Sequence, residues 1–134
     1  AEASTDIEKD LWDKFVFLAN FAGITCLTRQ PCRVLQEEEL AFQLFVAGLK
    51  EAVAVAAAEG IALDEEVIER YSGFVRKMPP DAQSSMLTDL QAGKPLENEW
   101  FAGKIVALGQ RHNIPTPISQ AYCVSMKPYQ AGGS

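Results

Sequence analysis

The sequence predicts an all-α fold of about six helices packed as an irregular bundle. Three observations predict it. Apolar residues recur at spacings of three and four along most of the chain, the period of a helix with one buried face. No segment alternates apolar and polar residues convincingly as a strand. The breaks between periodic segments carry glycine or proline, with an acid or a threonine close behind, as helix ends and starts do. At 134 residues the chain has the length of one domain.

The first helix carries Ile7, Leu11, Phe15, Leu18 and Ala22 on one stripe, which Trp12, Val16 and Ala19 widen. So broad an apolar surface predicts burial on more than one side. Asp6 and Glu8 stand near its start, where the helix dipole favours acids. The segment TRQPCR, Thr28 to Arg33, is a break with Pro31 inside it. A second long helix is expected from about Glu37 to Glu59, with Ala41, Leu44, Phe45, Leu49, Val53 and Ala57 on its stripe. Glu37, Glu38 and Glu39 load its first turn, and Gly60 is a natural stop. Asp64 is the expected cap of a third helix bearing Val67, Tyr71, Phe74 and Val75, which Met78-Pro79-Pro80 ends. Asp81 is the expected cap of a fourth, Ala82 to Ala92, closed by Gly93. After the turn Gly93-Lys94-Pro95, a fifth helix is expected with Glu97 in its first turn and Phe101, Ile105 and Leu108 on its apolar side. Thr116-Pro117 opens a sixth. The tail after Pro128 reads as mobile.

The bulk numbers exclude several function classes. A net charge of −6 disfavours nucleic-acid backbones and anionic membrane surfaces. The best apolar run, Ala52 to Ala58, lies between Glu51 and Glu59 and is far shorter than a bilayer span. No membrane or nucleic-acid partner is expected. The polar N-terminus does not read as a signal peptide. Three cysteines in a chain with a good core predict free thiols and a reducing, cytoplasmic setting. Their spacings match no zinc pattern and there is one histidine, His112, so no metal site is expected. No GxGxxG occurs, so the chain carries no dinucleotide-binding turn of its own. It begins at Ala1 without Met, as a processed chain or a piece of a longer protein does.

Four residues stand out. Lys14 interrupts an otherwise very apolar helix; it either extends its charge from the helix edge into water or sits partly desolvated beside a site, where a lysine becomes a useful acid or base. Ser84 and Ser85 precede the fourth helix's apolar residues; capping explains Ser84 better than Ser85. Glu97, twelve positions after Ser85, is either an acid favoured by the helix dipole or a site carboxylate. His112, near a helix end, reads as a surface histidine, and Cys32 as a packed thiol with no histidine to activate it. Phe15, Phe17 and Phe21 read as core or interface.

Together these residues resemble a known family. Trp12-Asp13-Lys14, the long apolar helix, SSMLTDLQAG, Glu97, Gly103 and the closing Ile114-Pro115-Thr116-Pro117 follow the order found in the C-terminal domain of ketopantoate reductases (2-dehydropantoate 2-reductases). The resemblance runs from about Asp10 to Met126. It implies an all-α domain like the C-terminal domain of 6-phosphogluconate dehydrogenase, preceded in the whole enzyme by a Rossmann domain. It implies NADPH-dependent reduction of a 2-keto acid in pantothenate biosynthesis. Lys14 would be the general acid, Ser85 would bind substrate, and Glu97 would support the lysine and the cofactor ribose. The family presents asparagines one and two turns after the lysine; here those positions are Leu18 and Ala22, so the substrate wall is more apolar. Asn20 points roughly 160° away from Leu18 at about 100° per residue and does not replace them. The chain alone, without a nucleotide domain, is expected to be inactive. The competing expectation is a helical dimerisation or interaction domain in which the polar residues only cap helices.

Overall fold

The computed structural model describes residues 2–133. Among the described residues it has seven α-helices and two 3-10 turns, and no strand. The helices are α1 (Glu2–Thr28), α2 (Arg33–Glu37), α3 (Glu39–Ala58), α4 (Val67–Lys77), α5 (Ser85–Gln91), α6 (Ala102–Arg111) and α7 (Pro117–Met126). The all-α expectation holds, with one helix more than the periodicity predicts. That helix is α2, five residues inside the expected break and its continuation, too short to show a period.

α1 is the axis of the molecule. Every residue from Ala19 to Cys26 is buried, whereas Ile7, Leu11 and Leu18 of the expected stripe are exposed, because the other helices pack on the C-terminal half of α1. One cluster joins Val16, Phe21 and Ile24 of α1 to Phe45, Leu49 and Val55 of α3, Val75 of α4, Ile105 of α6 and Tyr122 of α7. A second, smaller cluster joins Ala22 and Cys26 to Met86, Leu87 and Leu90 of α5, with Leu96 and Met126. Close approach depends on two glycines. A Cβ on Gly23 would lie 2.2 Å from the Tyr122 ring, and one on Gly48 would lie 2.0 Å from Asn20 Oδ1. α3 is long and apolar enough to cross a membrane by length and composition, yet it places Phe45, Leu49, Ala52 and Val55 in the core, as a core helix does.

Several helix ends differ from expectation, two of them because a tertiary ion pair claims the expected cap. α3 starts at Glu39, not Glu37: Glu38 is extended and its carboxylate accepts from Leu40 N. Gly60 stops α3 with φ +89, as expected. Asp64 does not cap α4; its carboxylate meets Lys9 Nζ at 2.7 Å. Asp81 does not cap α5 either, being paired with Arg33. Residues 82–84 are not helical, and Ser84 is the cap, accepting from Leu87 N at 3.0 Å. Glu97 precedes the 3-10 turn Asn98–Trp100 rather than standing in the first turn of α6. α7 begins at Pro117 as expected, but Thr116 contributes no side-chain cap. The Glu51 carboxylate of α3 takes that role, accepting from Ile118 N at 2.7 Å and Ser119 N at 3.0 Å. The tail is ordered, contrary to expectation. Lys127–Tyr129 form a 3-10 turn, Leu96 N donates to Gln130 O, and Gly133 N donates to Gly93 O.

Candidate active site

Lys14 sits near the middle of α1 with an exposed side chain. Its two neighbours in sequence are both anchored. Asp13 accepts from Arg70 Nη2 at 2.5 Å and from the Tyr71 hydroxyl, which fixes this turn to α4. Burial alone would raise the Asp13 carboxyl, but these hydrogen bonds and the Arg70 charge hold it below its ordinary value. Tyr71 is pushed up to about 12 by its own burial and by Asp13. Phe15 stacks on Phe101 with ring centroids 6.4 Å apart and meets the Trp12 edge at 5.4 Å. The α1 turn that carries Lys14 is therefore held from two sides while the ammonium stays free.

The Phe15–Phe101 stack also brings in Glu97, which lies four residues before Phe101 at the start of the 3-10 turn. Glu97 is exposed and lines a groove of about 310 Å3 with Trp100 and Lys127. Its loop is clasped by the tail: beyond the Leu96–Gln130 backbone bond, Gln130 Nε2 donates to Glu99 at 2.7 Å.

Ser84 and Ser85 have separate fates. Ser84 is buried, caps α5 and shares a hydrogen bond of 2.6 Å with Thr25 Oγ1 of α1. Ser85, the next residue, is exposed. Thr25 stands eleven residues beyond Lys14, about 16 Å along α1 at 1.5 Å per residue. Lys14 and Thr25, the partner of Ser84, thus stand at two ends of one strip of α1. On that strip Leu18 is 49% exposed, while Ala22 is only 3% exposed, covered by α5. Among the described residues, no side-chain hydrogen bond or ion pair links Lys14, Ser85 and Glu97 to one another or holds any of them elsewhere.

Asn20 faces away from this strip, as its angle predicts. It is buried, its amide donates to Val16 O at 2.9 Å, and its Oδ1 faces Gly48. The weaker candidates behave as read. His112 caps the end of α6 and pairs with Glu59 across to α3; Cys32 is buried, and burial raises its thiol. Phe21 is core, and Phe17 joins an aromatic group with Tyr71, Phe74 and Phe45. Sequence reasoning missed three parts of this region. Thr25 was readable, since it continues the 14–18–22 face of α1. The Asp13–Arg70–Tyr71 clamp and the clasp by Gln130 left no local signal, because their partners lie more than thirty positions away.

Comparison with known proteins points the same way. Residues 6–130 match the profile of the family described as ketopantoate reductase PanE/ApbA C terminal. The 2-dehydropantoate 2-reductase of Mycobacterium tuberculosis is 34% identical over 123 residues, covering 89% of this chain and 41% of that protein. An oxidoreductase of Bacillus subtilis, YkpB, is 27% identical over 128 residues, covering 96% and 42%. Among solved structures, a dimeric ketopantoate reductase from Staphylococcus aureus superposes with a TM-score of 0.86 at 27% identity, covering 92% of this chain and 43% of that one. A 2-dehydropantoate 2-reductase from Methylococcus capsulatus gives 0.81 at 32%, covering 91% and 42%. The chain spans about two-fifths of the length of the curated relatives it matches.

Proposed function

The chain belongs to the ketopantoate reductase family as its C-terminal domain, and from that premise we propose that, joined to an N-terminal nucleotide-binding domain, it reduces a 2-keto acid to a 2-hydroxy acid. The observation that carries the proposal is the division of labour between neighbours. Asp13, Phe15 and Ser84 take the structural contacts, leaving Lys14, Ser85 and Glu97 exposed and, among the described residues, without a side-chain hydrogen bond or ion pair.

NADPH, bound mainly by the N-terminal domain, would supply the hydride. The exposed, unpaired Glu97 carboxylate suits a contact to ribose hydroxyls. As the substrate's C2 gains hydride its keto oxygen becomes an alkoxide. The Lys14 ammonium stabilises that charge and delivers the proton, giving the hydroxyl. Ser85 donates a hydrogen bond to the substrate. Leu18, half exposed one turn beyond Lys14, offers the substrate side chain an apolar contact; Ala22 acts only as the packed floor beneath it. A 2-keto acid with a less polar side chain than ketopantoate is therefore the preferred substrate. The work is placed in the cytoplasm, and self-association, as in the dimeric Staphylococcus aureus relative, is part of the proposal.

The test is a panel of 2-keto acids, ketopantoate among them, with the two-domain protein and NADPH. Consumption of NADPH, faster with apolar side chains, supports the reading. Absence of turnover with every 2-keto acid, while NADPH still binds, contradicts it and favours an interaction domain without chemistry. The 134-residue chain alone should show no turnover.

A further inference from the structure

Asn20 faces away from the strip that bears Lys14 and Leu18, and the catalytic reading gives it no role. It is buried, its Nδ2 donates to Val16 O at 2.9 Å, and its Oδ1 has no hydrogen-bond partner among the described residues. Two more buried oxygens share that condition close by. They are Ser119 Oγ and Tyr122 OH, one turn apart on the buried face of α7.

Three helices meet at this point. The place that a Gly48 Cβ would take on α3 is 2.0 Å from Asn20 Oδ1 of α1 and 3.3 Å from Ile118 Cγ2 of α7. The Glu51 carboxylate, three residues further along α3, accepts from Ile118 N at 2.7 Å and from Ser119 N at 3.0 Å. The Tyr122 ring lies over Gly23, three residues beyond Asn20 on α1. Burial, and then the Glu51 charge, push the Tyr122 phenol upward, as a carboxylate close to a buried hydroxyl does. Thr116 Oγ1, also unpartnered among the described residues, faces Gly109 of α6 and stands outside this group.

We propose that the junction of α1, α3 and α7 is a binding site for an ordered internal water, held by Asn20 Oδ1, Ser119 Oγ and Tyr122 OH beside the Glu51 carboxylate. Nearly all buried polar groups in folded proteins are hydrogen-bonded, so three unpartnered oxygens at one junction call for a shared partner. Their chemistry selects water. Asn20 Oδ1 can only accept, while the two hydroxyls both donate and accept. One water donates to Asn20 Oδ1 and to Ser119 Oγ and accepts from the Tyr122 hydroxyl. That makes three hydrogen bonds, the usual number for an internal water. The Cα–H of Gly48 is too weak a donor to take its place. A cation would also meet oxygens here, but it would face the positive N-terminal end of α7. The water ties α1, which carries Lys14, to α7 by polar contacts that the apolar cluster does not supply. The inference is independent of the catalytic reading.

A crystal structure of this chain at a resolution that shows ordered solvent tests it. The expected result is one water at about 2.6–3.2 Å from Asn20 Oδ1 and from both hydroxyls. In urea unfolding, Ser119→Ala and Tyr122→Phe should each lower the folding equilibrium constant by about three- to ten-fold. Each change alone already loosens the water, so the double variant should lose less than the product of the two. Direct hydrogen bonds among Asn20, Ser119 and Tyr122 with no water between them would overturn the proposal. So would a metal ion at that position, or two substitutions whose effects simply multiply.

Discussion

The fold treats the two halves of α1 in opposite ways. From Ala19 to Cys26 every residue is enclosed, and both polar side chains there serve the packing. Asn20 donates to Val16 O one turn back, and Thr25 bonds Phe21 O and Ser84. From Asp6 to Lys14 the helix is largely open. Two of its charges are engaged there: Lys9 pairs with Asp64 and Asp13 with Arg70. Lys14 is the contrast, an exposed cation between two anchored neighbours and, among the described residues, with no ion pair of its own. The lesson is that a polar residue inside an apolar helix is informative only once its neighbours' contacts are known. In the buried half polarity stabilises the structure; in the open half Lys14 keeps its charge at the surface.

The contrast can be broken by substitution, and the largest stability effect belongs to the buried half. Gly23→Ala places a Cβ 2.2 Å from the Tyr122 ring, so α1 and α7 must separate. Thermal or urea unfolding should show a loss of about 1–3 kcal/mol. A neutral result would mean that the α1–α7 contact is looser than described.

The two serines sharpen the comparison. Ser84→Ala removes the α5 cap and leaves Thr25 Oγ1 without its cross-helix partner, and should cost about 1–2 kcal/mol of stability. Ser85→Ala should change stability by less than about 0.5 kcal/mol and instead raise KM for the 2-keto acid in the two-domain protein. Equal effects on stability would erase the distinction between them.

The clamp beside Lys14 gives a smaller effect with a pH signature. Asp13 has a lowered pKa in the fold, so its stabilisation is fully present above the unfolded carboxyl value of about 3.9 and is lost as pH falls through the folded value. Because Arg70 is partly exposed, Asp13→Asn should cost only about 1 kcal/mol at neutral pH. The difference from wild type should shrink as the medium is acidified below about pH 4. Unfolding curves at several pH values check this; a difference independent of pH would remove the charge from the explanation.

Much of this fold was legible in the sequence. The helices marked by the stripes Ile7–Ala22 and Ala41–Ala57 and the stops at Gly60 and Pro79-Pro80 read correctly because period and punctuation are local properties, although Ile7, Leu11, Leu18 and Ala57 of those stripes are exposed. α2 was not legible, since five residues complete barely more than one turn. The caps were misread for a physical reason. Asp64 and Asp81 have the chemistry of caps, but Lys9 and Arg33 compete for them, and the true cap of α7 is Glu51, 67 positions away. The site was legible only in part. Residue types and the resemblance singled out Lys14, Ser85 and Glu97, whereas the anchors at Asp13, Phe15 and Ser84 that leave two of them free belong to the tertiary structure.

The central claim, that the open half of α1 supplies the proton for reduction, is tested most directly by steady-state turnover of the two-domain protein carrying Lys14→Ala. Lys14 is exposed and, among the described residues, has no side-chain hydrogen bond or ion pair, so the melting temperature should stay within a degree or two of wild type. Turnover of the best 2-keto acid should fall by about 10²–10⁴-fold. A Lys14→Ala protein that reduces the same substrate at the wild-type rate would contradict the account.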